Sequence, residues 1–127
     1  MSTQTFDNRP IYHLAKADAW AQALAERRYE GVAADRADGF LHFSTAEQIA
    51  ESARRHRAGE PDLMLLTVDP ARLDPDTLKW ETSRGGKLFP HIYGTVPLEA
   101  VVSLDPLPLG ADGVHIFPDP LPGLTAG

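Results

Sequence analysis

Three histidines stand beside aromatic residues in short extended runs: Tyr12-His13, Phe40-Leu41-His42-Phe43-Ser44-Thr45 and Phe89-Pro90-His91-Ile92-Tyr93. Imidazole has an unperturbed pKa of roughly 6.5, so at neutral pH it can donate, accept or carry charge. That suits general acid–base work or a grip on phosphate oxygens. One histidine in an apolar strand is usually bonded to a neighbouring carbonyl. Three on strand-like runs point to a polar pocket lined from several strands; three unrelated structural histidines are the competing reading.

The flanking residues widen the candidate set. Ser44-Thr45-Ala46-Glu47 fits a capping box, with Ser44 as N-cap and Glu47 three positions on. The same helix start would present free N–H groups to a phosphate or carboxylate, although capping alone accounts for the serine. The run from Glu81 to Lys87 joins Arg84 and Lys87 to flexible glycines and could close over an anionic ligand; solvated turns share that composition. Glu81 reads either as an exposed edge residue or as a catalytic carboxylate. His56 and His115 lack comparable context. No HxH or HxxxH spacing occurs and no carboxylate is suitably placed beside the histidines, so no metal site is expected. Walker, GxGxxG and GxSxG motifs are absent from the sequence, which sets aside the common nucleotide-fold and hydrolase readings.

The elements that must position these residues can be read from periodicity. Alternation places strands at Ile11 to Ala15 and Phe40 to Ser44, with His13 and His42 each on a partly apolar face. A continuous apolar run, Leu63 to Val68, reads as a strand buried on both faces. Further strands are expected at Leu78 to Glu81, Phe89 to Tyr93 and Val101 to Leu104. Pro90 argues for an irregular start to the fifth of these, because proline cannot donate to a central ladder. Helices are expected from Lys16 to Tyr29, with Asp18 as N-cap, and from Ser44 to about Ala58, with a loop over Glu30 to Gly39. The result is a single compact α+β domain, a mixed sheet flanked by two main helices. Residues 1–10 form a flexible lead-in, 11–107 the domain, and 108–127 a proline- and glycine-rich tail held by Val114, Ile116 and Phe117.

Bulk properties bound the function. The 127 residues suffice for one domain with its own core, and the 43% hydrophobic content is ordinary. The absence of cysteine excludes disulfides and thiolate chemistry. Eighteen acidic and twelve basic residues give a net charge of −6, a field that opposes non-specific binding to nucleic acid or anionic membrane. No stretch is long and apolar enough to span a bilayer, and Met1 to Arg9 lacks the features of a secretory signal, so the cytoplasm is the simplest compartment.

The three histidine motifs, in this order and with Trp20 and Trp80-Glu81 between them, resemble a bacterial family known as domain of unknown function 952. The likeness runs from Ile11 to Leu107 and carries no established activity. More distantly, the motif order is similar to the ADP-ribosyltransferase superfamily, including its tRNA 2′-phosphotransferase branch. That resemblance implies a curled sheet around a cleft and an enzyme acting on NAD or on an ADP-ribosyl or phosphorylated nucleotide. It implies that His13 holds ribose, that His42 contacts phosphate or the nicotinamide end, and that Arg84 neutralises phosphates. His91 would complete the pocket, with Tyr12, Ser44, Thr45 and Tyr93 at its margins. NAD would be a substrate, with no further cofactor. The chain departs from that pattern in two places. Leu14-Ala15 replaces the usual Gly-Thr, and His91 or Tyr93 stands where glutamate-type transferases carry a late carboxylate. The alternative function is a non-catalytic module for a small anionic metabolite or a protein partner.

Overall fold

The computed structural model of the protein describes residues 9–123, so most of the lead-in expected over residues 1–10 lies outside the described residues, as does the side chain of Arg84. The chain order is β1 (Ile11–Lys16), α1 (Ala17–Glu26), β2 (Arg28–Tyr29), α2 (Ala33–Asp38), β3 (Leu41–His42) and α3 (Ile49–His56). It continues with β4 (Leu63–Val68), β5 (Leu78–Thr82), β6 (Leu88–Ile92), β7 (Val96–Pro97) and β8 (Val101–Pro106). The α+β class holds. The single mixed sheet does not: strands pair antiparallel in three small sheets, ordered β1-β4-β8, β2-β7 and β3-β6-β5.

β4 is the middle strand of the first sheet, and its unbroken apolar run follows from burial on both faces. Leu66 and Val68 join Ile11 and Ala15 of β1 in one core cluster; Leu63 and Leu65 join Tyr12, Leu14, Ile49 and Ala53 in the other. Each such fully buried aliphatic side chain contributes about 1.5–3 kcal/mol, so this strand anchors both halves of the interior. A pair of backbone hydrogen bonds, Tyr12 N–H to Ser44 C=O and Ser44 N–H to Tyr12 C=O, each 2.8 Å, stitches the first sheet to the segment after β3.

That stitch explains why the second helix starts late. Ser44 is drawn into an extended bridge with Tyr12, and its hydroxyl sits 3.1 Å from that of Ser52 instead of capping a helix. A turn follows, in which Thr45 N–H donates to Gln48 Oε1 at 2.9 Å, and α3 begins only at Ile49 with Gln48 as N-cap. At α1 the N-cap is Lys16, and Asp18 lies inside the first turn. The segment expected as a loop over Glu30 to Gly39 contains a third helix, α2, closed by Gly39 in the left-handed region at φ 85°. Pro90 sits in β6, the middle strand of its sheet. Its carbonyl accepts Phe43 N–H at 3.0 Å, but it has no N–H to return, and β3 ends after two residues there.

In the tail, Val114 and Ile116 are exposed. Phe117, the third expected anchor, packs on the second cluster together with Leu121, and His115 Nε2–H donates to Glu60 C=O at 2.7 Å.

Candidate functional site

His13, His42 and His91 arrive from β1, β3 and β6 at one cavity of about 360 Å³. Antiparallel pairing of β3 with β6 sets His42 directly opposite His91, and their ring centroids lie 5.8 Å apart. His13 is placed differently. Buried at 2% exposure, its Nδ1–H donates to His42 C=O at 2.6 Å, while Tyr29 O–H donates to Nε2 at 2.7 Å. Burial pushes its pKa down despite the nearby Asp35 carboxylate, so the ring is neutral and protonated on Nδ1. Both nitrogens serve internal partners, and His13 forms the floor that fixes the His42 backbone.

His42 is the opposite case. Its Nδ1–H donates to Asp35 Oδ1 at 2.6 Å and its Nε2–H meets Asp38 Oδ2 at 2.8 Å. The Asp35 hydrogen bond raises the His42 pKa, and the Asp38 charge adds to it; with each ring nitrogen against a carboxylate oxygen, the geometry suits the doubly protonated imidazolium. The two carboxylates differ in mobility. Asp35 is 2% exposed and also accepts Val32 N–H at 2.8 Å and His42 N–H at 3.0 Å. Burial works to raise its pKa, but the His42 bond and the two amides outweigh it and hold the carboxyl below its ordinary value. Asp38, at the end of α2, has a side chain 55% exposed.

His91 completes a second pairing. Its Nδ1–H donates to Glu81 Oε1 at 2.7 Å, and the same oxygen accepts Tyr93 O–H at 2.8 Å. Those two bonds hold Glu81 below the usual carboxylate range, and the Glu81 bond raises Tyr93. The Glu81 bond orients the His91 ring through Nδ1 and turns Nε2 to the other side, the arrangement in which a carboxylate positions an imidazole for acid–base work. Phe40 packs against both imidazoles and Tyr93, with centroids 4.6, 4.3 and 5.1 Å away, and so fixes the two rings relative to each other.

Of the other expected site residues, Ser44 lines the cavity, while Thr45 lines a separate small cleft beside Trp80. Tyr12 is buried outside the cavity; its hydroxyl donates to Pro122 C=O at 2.7 Å, and burial together with Glu47 pushes its pKa up to about 12. Arg84 lies in the turn between β5 and β6, beside Ser83 of the lining, with its side chain outside the described residues. The sequence reading missed Asp35, Asp38, His56 and Arg57, all in the lining. It also saw no carboxylate beside the histidines, whereas folding supplies three: Asp35 and Asp38 at His42, and Glu81 at His91. Two aspartates three apart, just before a left-handed glycine and a histidine strand, were the available signal. Among the described residues no group of three or more histidine or acidic side chains is arranged to hold a metal ion. Nor is any helix there long and apolar enough to cross a membrane.

Comparison with known proteins bears on family but not on activity. A family model described as "Protein of unknown function (DUF952)" matches residues 14–104. The chain is similar to the crystal structure of protein CC0527 from Caulobacter crescentus, with TM-score 0.77 and 41% identity, over 84% of this chain and 93% of that one. It is likewise similar to the solution NMR structure of CC0527, with TM-score 0.72 and 43% identity, over 83% and 90% of the two chains. No curated protein matches.

Proposed function

Since the chain belongs to the DUF952 family, described only as of unknown function, we propose a role from the geometry: it binds a small anionic, nucleotide-like ligand and acts on it by acid–base chemistry. The observation that carries this reading is a pair of imidazoles 5.8 Å apart on one cavity, each bonded through Nδ1 to a carboxylate, His42 to Asp35 and His91 to Glu81. His42, held as imidazolium by Asp35, is the acid; His91, oriented by Glu81, is the base. Such a pair suits transfer at phosphorus, with His91 taking a proton from the attacking hydroxyl and His42 giving one to the leaving oxygen. A volume of about 360 Å³ lies near the lower end of the range for ligand pockets, which favours one nucleotide unit over a whole dinucleotide.

NAD and ADP-ribosyl nucleotides enter as substrates through the resemblance to ADP-ribosyltransferases. Breaking a nicotinamide bond calls for a carboxylate near the developing oxocarbenium, and Asp35 and Glu81 are both engaged with imidazoles. Phosphoryl chemistry therefore stands ahead of glycosyl transfer. A second reading, a binding module without turnover, draws on the fact that both His42 nitrogens already have partners.

The test is calorimetry with NAD, ADP-ribose and a 2′-phosphorylated nucleotide, followed by 31P NMR for turnover. The expected result is binding of at least one, weakened about tenfold or more in His42→Ala, the scale of one charged hydrogen bond. His91→Gln should abolish turnover while leaving affinity within a few-fold. Absence of heat with all three on a folded protein overturns the proposal. Binding without turnover selects the module.

A further inference from the structure

Asp38 and Asp35 both bond the His42 ring, yet only one of them is built to stay. Asp35 is locked by two backbone amides in addition to the imidazole. Asp38 is the last residue of α2, followed by Gly39 at φ 85°, and its side chain is 55% exposed. An ion pair that exposed contributes at most about 1 kcal/mol, so moving it aside costs little. The same cavity is also lined by Arg57, 18% exposed, whose Nη1–H donates to Glu60 at 2.9 Å. Lys16 binds the same Glu60 oxygen at 2.7 Å, so Lys16, Arg57 and Glu60 together carry one net positive charge. The adjacent hydroxyls of Ser44 and Ser52 face this space as well.

We propose that Asp38 is an internal stand-in for the ligand's phosphate: it occupies the subsite at His42 Nε2–H and swings into solvent when a phosphate group enters between His42 and Arg57. This rests on the anionic-ligand reading above and specifies where the anion sits. A dianionic phosphate displaces a single carboxylate because it answers the surplus charge at Arg57 in addition to that of His42. Within the ligand-free cavity, Asp38 keeps the imidazolium satisfied.

The experiment titrates inorganic phosphate, and in a parallel arm adenosine 5′-monophosphate, into the full chain, Asp38→Asn and Glu99→Gln. The last makes the same charge change on a residue outside the cavity lining. Asp38→Asn is expected to bind phosphate about two- to fivefold more tightly than the unmodified chain, the scale of one exposed ion pair, with Glu99→Gln unchanged. In the unmodified chain, phosphate should also move the 15N shift of His42 Nε2. Equal or weaker binding by Asp38→Asn, or a His42 signal that stays still while phosphate binds, overturns the stand-in and leaves the ligand reading intact. If neither phosphate nor the nucleotide binds any of the three folded chains, the anionic-ligand reading itself fails and takes the stand-in with it. Tighter binding of the nucleotide than of phosphate assigns the subsite to a nucleotide ester, and equal binding assigns it to phosphate alone; both support the subsite.

Discussion

Asp35 joins two backbone amides and the His42 ring through one buried carboxylate, with the His13 ring close by. Its removal in Asp35→Ala strands those donors together, and a loss of about 3 kcal/mol is expected in urea unfolding. The pair also sets a pH profile. His42 is held above its ordinary 6.5, so its contribution is complete below that pH and is lost as pH rises through the folded pKa. Asp35 is held below 3.8, so its contribution is complete above that value and is lost as acidification passes the depressed folded pKa. Stability should therefore peak between the two. In Asp35→Asn the His42 titration, followed by imidazole NMR, should fall towards the ordinary value. A different residue offers the reverse effect. Thr67 is fully buried, and its hydroxyl has no hydrogen-bond partner among the described residues. Thr67→Val, which exchanges that hydroxyl for a methyl, should stabilise by about 1 kcal/mol in the same assay.

At the scale of elements, α2 depends on the turn that precedes it. Gly31 has φ +92°, and a Cβ there would meet the Leu41 side chain and lie 2.8 Å from Asp35 Cβ. Left-handed strain and overpacking together predict a loss of about 2–4 kcal/mol for Gly31→Ala, with the His42 pKa falling as Asp35 shifts. This helix was also the element least visible in the sequence. Its six residues, Ala33–Asp38, carry no apolar periodicity, and its worth lies in placing Asp35 and Asp38, which only tertiary contacts reveal. Strands β1 and β4 were legible because short apolar-rich runs follow from burial, and both strands are buried on their two faces, β1 with His13 among its buried residues. The pairing of His42 with His91 was not, since register between strands nearly fifty residues apart leaves no local trace. Ser44 misled for a physical reason: its local preference for capping lost to two backbone hydrogen bonds with Tyr12.

Over the whole molecule, the tail belongs to the fold more than its proline and glycine content suggests. Phe117 and Leu121 cover the second core cluster, and Tyr12 reaches across to Pro122. A chain ending at Leu107 should lose about 3 kcal/mol from those two side chains, visible as a lowered melting temperature; an unchanged melt would make the tail peripheral. The larger consequence comes from the double hydrogen bond between Tyr12 and Ser44, which joins the sheet bearing His13 to the segment bearing His42. These two amides lie on a seam between sheets, so their deuterium uptake times the parting of the cavity walls rather than global unfolding. A ligand that closes the cavity should slow exchange at both together while leaving the interior of β4 at its own pace.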